Sequence, residues 1–247
     1  MTVPSYLPYV VLVSGAGIVA TLLLGLRLAL SKAGWSADDQ SRVVLLAALV
    51  LICWLGIATV LGVSGVYQGA SDRIPTIQYG ILAPLLIGGM LILRSSTTAR
   101  VIEAVPQQWL IGVQCYRALG LIFLILYGAG EMPGLFAWPA GIGDVLVGAL
   151  APVVAIAYAR GPEKNGDLAW VWNILGLTDL SVAVTTGMLT APSPIQQFAF
   201  DAPSELLGTF PLVLIPIYLV PLSVLLHLAS LTKLRRTAQH LELQHST

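Results

Sequence analysis

Three residues have the type and placement to do chemistry: Arg117, Asp144 and Asp179, each near the middle of an otherwise apolar run. An ionised side chain at the centre of a bilayer costs about 2.5–3.5 kcal/mol on insertion scales. Three of them at similar depth on consecutive segments predict mutual pairing rather than three separate penalties. A guanidinium can donate bidentate hydrogen bonds to one or both carboxylates. The charges do not cancel, because one arginine faces two aspartates. In a low-dielectric site that surplus predicts that Asp144 or Asp179 takes up a proton or exchanges a cation. The competing expectation is a buried ion pair that fixes helix register, with the spare aspartate permanently protonated.

Gln114 lies one turn from Arg117, and Asn173 about one turn inward on the segment of Asp179. The candidate substrate- or ion-binding set is therefore Arg117, Asp144, Asp179, Gln114 and Asn173. Gly141-Ile-Gly-Asp144-Val-Leu-Val147 echoes Gly176-Leu-Thr-Asp179-Leu-Ser-Val182. Gly141, Asp144, Gly148 and Ala151 share one helical face, as do Gly176, Asp179, Ala183 and Thr186. Small residues at that spacing allow close helix approach in a membrane, and the echo is compatible with a degenerate inverted repeat.

The elements that carry these residues follow from composition. Of 247 residues, 57% are hydrophobic and only 10% charged, and the mean hydropathy is +0.86. A soluble domain carries about 25% charged residues. About 20 mostly apolar residues span the hydrocarbon as a helix. Seven segments qualify: 8–29, 43–66, 77–94, 108–129, 135–159, 168–190 and 207–231. The third is the shortest and contains Pro84. The fold class is all-α, a polytopic seven-transmembrane-helix bundle forming a single domain over 1–232, with a polar cytoplasmic tail over 233–247. A β-barrel is excluded, since its strands alternate apolar and polar over about ten residues, whereas these runs are continuous and longer.

Loop charge predicts the orientation. Arg27, Lys32, Arg42, Arg94, Arg100, Arg160, Lys164, Lys233, Arg235 and Arg236 fall on one side of the seven crossings, and only Arg73 on the other. By the positive-inside rule the first side is cytoplasmic, leaving the N-terminus outside. Trp35, Trp109 and Trp170 fall near the inner boundary and Trp138 near the outer one, as an interfacial belt predicts. The N-terminal apolar stretch lacks a preceding basic residue and a small-residue cleavage site, and reads as a retained helix rather than a signal peptide. At the boundaries, Ser36-Ala-Asp-Asp39 has capping-box spacing before the second helix, and Pro203-Ser204-Glu205 is expected to open the seventh. Pro211, Pro216 and Pro221 predict a bent seventh helix.

Several function classes drop out. Net charge is zero and there is no Arg/Lys-rich arm, which argues against nucleic acid as a partner. The topology resembles that of microbial rhodopsins, but Lys32, Lys164 and Lys233 all lie at or beyond helix ends, so no lysine is placed to hold retinal. His227 is the one intramembrane histidine, which excludes bis-histidine haem. Two distant aspartates do not make a metal site. Cys53 and Cys115 are expected to be small buried hydrophobes. No phosphate-binding loop, nucleophile elbow or zinc-protease motif is present.

No cofactor and no catalytic residue is assigned. The expected partners are the lipid bilayer and a small solute or ion, and the expected location is the inner (plasma) membrane of a bacterium. The leading functional expectation is a small transporter or channel for a proton, cation or small polar solute. The alternative is a non-catalytic membrane subunit or sensor whose buried charges are structural. An intramembrane enzyme using an aspartate pair as acid and base ranks last.

Overall fold

Seven helices among the described residues are long and apolar enough to cross a membrane. The structure, a computed structural model, describes residues 4–245, with side chains through residue 239. In chain order, α1 is Leu7–Lys32, α2 Ala37–Val63, α3 Ile77–Arg94 and α4 Ser96–Ala104. The fourth of the seven is composite: α5 (Gln107–Gly112), a 3-10 stretch (Val113–Gly120) and α6 (Leu121–Gly128). Two long helices follow, α7 (Gly134–Arg160) and α8 (Pro162–Thr190). The last of the seven runs through a π turn (Ile215–Leu219) into α9 (Val220–His245).

Two helices begin earlier than hydropathy predicts, α2 at Ala37 rather than 43 and α8 at Pro162 rather than 168. Hydropathy registers only the apolar part of a helix, whereas caps carry the helix on through its polar turns. Ser36 Oγ accepts the Asp39 N–H at 3.1 Å and its hydroxyl donates to Asp39 Oδ2 at 2.8 Å. Ser36→Ala is expected to cost about 1 kcal/mol. A drop in the midpoint of thermal unfolding, absent in Ser36→Asp, would register it.

The fourth helix, expected as one continuous α-helix over 108–129, is not one. Its middle is wound as a 3-10 helix, three residues per turn, so that side chains at i and i+3 eclipse. Gln114, Arg117 and Gly120 are three apart, and they are the buried residues of this stretch. The tighter winding lines them up on the side that meets α7.

The seventh helix also departs from expectation. Glu205–Gly208 is a short 3-10 turn rather than its first turn, and regular α-helix starts only at Val220. Pro211, Pro216 and Pro221 each lack an N–H and obstruct the carbonyl four residues back. A π turn from Ile215 absorbs the mismatch. At the other end the segment expected as a polar tail continues α9 through His245. Lys233 Nζ donates to the carbonyls of Ile102, Glu103 and Val105 at 3.3, 2.6 and 2.8 Å. It thereby caps α4, a short helix that hydropathy did not reveal. Residues 246–247 of the expected tail lie outside the described residues.

The α7–α8 pair is the scaffold. Its packing and that of α7 on the 3-10 stretch are the most extensive in the bundle. Beside it, α9 contacts α3, α5 and α8. By contrast α2 buries only Ala58 and Gly62, and Leu45, Leu46, Leu49, Ile52, Ile57 and Val60 point outward. Outward-facing apolar rows of this length are unfavourable in water. Cys53 and Cys115 are exposed free thiols rather than buried hydrophobes. Cys53 lies on that same outward-facing helix, and Cys115 falls off the buried 114–117–120 stripe.

Candidate functional site

The 3-10 stretch delivers Arg117 into the centre of the bundle, where its side chain is 1% exposed. Its Nε donates to Asp144 Oδ1 at 2.8 Å, and Nη2 lies 2.8 Å from the same oxygen. Nη2 also bonds Asp179 Oδ2. Nη1 donates to the Gly176 carbonyl at 3.2 Å and to His227 Nε2 at 3.1 Å. All three nitrogens are thus engaged across α7, α8 and α9. Both carboxylates keep 13% of their side chains exposed, and each has one oxygen outside these contacts.

Glycine makes the approach possible. A side-chain carbon on Gly148 would collide with the backbone of Ala118 and Arg117. One on Gly143 would occupy the space of the Asp179 carboxylate. The first glycine lets α7 lie directly on the 3-10 backbone, and the second lets Asp179 reach across from α8.

The polar system continues past Arg117. An arginine can only donate, so His227 Nε2 is an acceptor and the ring proton sits on Nδ1. That proton is donated to Asn173 Oδ1 at 2.9 Å. Asn173 Nδ2 donates to the Ala169 carbonyl at 2.7 Å and to Ser230 Oγ at 2.9 Å. Gln107 Nε2 donates to the same Ser230 oxygen at 2.6 Å. A buried chain therefore runs Arg117–His227–Asn173–Ser230–Gln107. It ends at the first residue of α5, next to the α4–α5 turn that Lys233 caps. Trp172 packs on the His227 ring at 4.9 Å between centroids and donates its indole N–H to the Val147 carbonyl at 3.1 Å.

On the opposite side of Arg117 lies a cavity. Its far end is formed by the α2–α3 and α8–α9 connections, with Tyr67, Pro192, Ser204 and Glu205. Its deep end is Asp144, and Phe123, Phe136, Leu180, Ala183 and Ile215 form much of the wall between. A smaller cavity, lined by Tyr116, Arg117, Gly120 and Ser223, shares Asp144, Leu180, Ile215 and Val220 with it. Asp144 stands at their junction. Tyr116 bonds Ser223 at 2.8 Å. Burial pushes the Tyr67 phenol above its ordinary range, keeping it neutral at the far end.

Of the residues expected to form the site, Arg117, Asp144 and Asp179 are in direct contact, and Asn173 joins them through His227. Gln114 does not. It is fully buried on the Arg117 stripe, yet neither of its amide atoms has a partner among the described residues. His227 and Ser230 belong to the cluster and were missed. Ser223, His227 and Ser230 are spaced i, i+4, i+7, a polar stripe on one face of an apolar helix. That pattern was the available signal. Among the described residues no group of three or more His, Cys, Asp or Glu side chains is placed to hold a metal ion.

No curated protein and no solved structure matches the chain. The model of a domain of unknown function, DUF8737, matches residues 74–235, more than half of the chain. The match begins just ahead of α3 and takes in all five members of the buried chain together with Asp144 and Asp179. By this match the chain belongs to the DUF8737 family.

Proposed function

We propose that this protein is an integral membrane carrier that moves a proton or small cation through the Arg117–Asp144–Asp179 cluster. Residues 1–232 form its seven-helix membrane unit, with the N-terminus and the cavity mouth outside and the basic loops in the cytoplasm. One observation carries the reading. A cavity from the proposed outer end stops at Asp144, and a hydrogen-bonded chain leaves from Arg117 toward the other end. Access from one side at a time is the arrangement an alternating-access carrier needs. A continuously open channel would need a polar route on both sides of the cluster. The net negative charge of one arginine with two aspartates favours a cation over an anion.

Asp144→Asn tests this directly. It removes the surplus negative charge but leaves Arg117 paired with Asp179, so the fold is expected to survive. In proteoliposomes carrying a pH-sensitive dye or a cation indicator, flux is expected to fall to the level of empty liposomes. The thermal midpoint should stay within a few degrees of wild type. Wild-type protein that moves neither protons nor alkali cations would sink the carrier reading.

A second reading has its own support. Every Arg117 nitrogen is partnered and its side chain is 1% exposed, as expected of an ion cluster that locks three helices together in a membrane subunit. On that reading Asp144→Asn lowers the thermal midpoint and wild type shows no flux.

A further inference from the structure

We infer that the cavity admits lipophilic cations sideways from the bilayer, through an opening between α3 and α8, and seats their charge at Asp144. This rests on the proposed carrier reading and adds lipophilic cations to the proton or small cation that its site takes.

The route is a second concavity on the outside of the bundle. It is lined by α3 residues such as Tyr79 and Leu82 and by Val184 and Met188 of α8. Four residues, Pro75, Ile81, Val184 and Met188, line both this groove and the inner cavity. They mark a shared wall at which groove and cavity meet. The two helices do not close that wall by packing: α3 makes its main contacts with α9, the π turn and α4. An entrance between two apolar helices faces lipid rather than water, so the molecules that reach it are those already dissolved in the bilayer.

Lining chemistry selects the occupant. The inner cavity is walled mostly by apolar side chains, and no Lys, Arg or His lines it. Its only acids are Asp144 at the deep end and Glu205 at the far end. An apolar body would fill the wall region and offset the loss of bilayer contacts. A positive charge at the deep end would meet the surplus carboxylate of the cluster. An anionic head would meet the Asp144 carboxylate and find the guanidinium already fully used. Phe123 and Phe136 line the cavity and pack edge to face, 5.0 Å between centroids. Ring faces of this kind attract a desolvated cation.

The experiment compares two rigid ions of the same shape and opposite charge. Tetraphenylphosphonium and tetraphenylborate binding would be measured by equilibrium dialysis against full-length protein in lipid nanodiscs, with empty nanodiscs subtracted. Saturable binding of the phosphonium alone is expected. Asp144→Asn should weaken it by on the order of tenfold or more, since one partner of a desolvated charge contact is lost. Val184→Trp and Met188→Trp, which fill the opening, should weaken it similarly. Leu175→Trp, on the outward face of the same helix, should leave it unchanged. Equal saturable binding of both ions would overturn the charge assignment. Phosphonium binding unaffected by both opening variants would overturn the route. If the phosphonium does not bind while Asp144-dependent flux of protons or alkali cations persists, the inference fails and the carrier reading stands. If flux is absent as well, both fall.

Discussion

Arg117→Met should be the most damaging single substitution in the bundle, costing about 3–5 kcal/mol, the range seen when one partner of a buried ion pair is removed. The reason is asymmetric. With Arg117 present, Asp144 and Asp179 both accept charge-assisted bonds in the centre of the bundle. Without it, two carboxylates face each other at close range, and the Gly176 carbonyl and His227 Nε2 lose their donor. Thermal unfolding in mild detergent should show a large fall in midpoint, or the protein should fail to accumulate.

The informative comparison is the triple variant Arg117→Met, Asp144→Asn, Asp179→Asn. It removes all three charges and should recover most of the lost stability, because replacing a whole buried ion cluster is often near neutral. A single Arg117→Met variant that melts with wild type would mean the three charges are not mutually dependent. The site description would then fail.

The second large effect is expected at Gly148. Its α-carbon lies so close to the 3-10 stretch that a single added carbon would strike the Ala118 amide nitrogen and come within 3.0 Å of the Arg117 carbonyl carbon. These are backbone atoms of a helix and cannot rotate aside. Gly148→Ala must therefore push α7 and the 3-10 stretch apart. Overpacking costs about 1–3 kcal/mol, and a clash with backbone belongs at the upper end. The same displacement carries Arg117 away from Asp144, so flux should fall along with stability. Gly17→Ala is the control. Nothing lies within 4 Å of its added carbon, and exchanging glycine for alanine in a helix interior favours the helix by up to about 1 kcal/mol. Thermal midpoints for the two variants should move in opposite directions. A Gly148→Ala protein as stable as wild type would show that the close approach is not a fixed feature of the bundle.

These two cases show how much was legible beforehand. The number and order of the seven apolar helices follow from hydropathy alone, because that property is a sum over one segment and needs no neighbour. Arg117, Asp144 and Asp179 stood out for the same reason, each being the anomaly in its own run. That they should meet was an inference from shared depth, and the structure does place them in contact. Gly148 was recognisable as one of a stripe of small residues, but not which backbone it admits. Gly143, which makes room for Asp179, lies off that stripe and gave no sign.

Other features depended on partners far along the chain. Arg117 and His227 are separated by 110 positions, and Gln107 and Ser230 by 123. A pattern read along one helix carries no term for such a contact. His227 was therefore judged alone, as one imidazole too few for haem, instead of as part of the Ser223–His227–Ser230 stripe. The winding of the fourth of the seven helices was hidden likewise. Residues 108–129 are apolar enough to be helical either way. The choice of a 3-10 turn at Val113–Gly120 goes with the α7 surface on which Gln114, Arg117 and Gly120 must pack together.

What the amino-acid order determined by itself is an all-helical chain with seven helices apolar enough to span a membrane and a charge imbalance concentrated in Arg117, Asp144 and Asp179. Hydrophobicity and ionisation are properties of single residues and survive without a fold. What only the tertiary structure decided is which groups those charges touch, that Asp144 opens to a cavity, and that α3 and α8 stand apart beside it. Those depend on how helices pack in three dimensions, where a glycine without a side chain sets the distance.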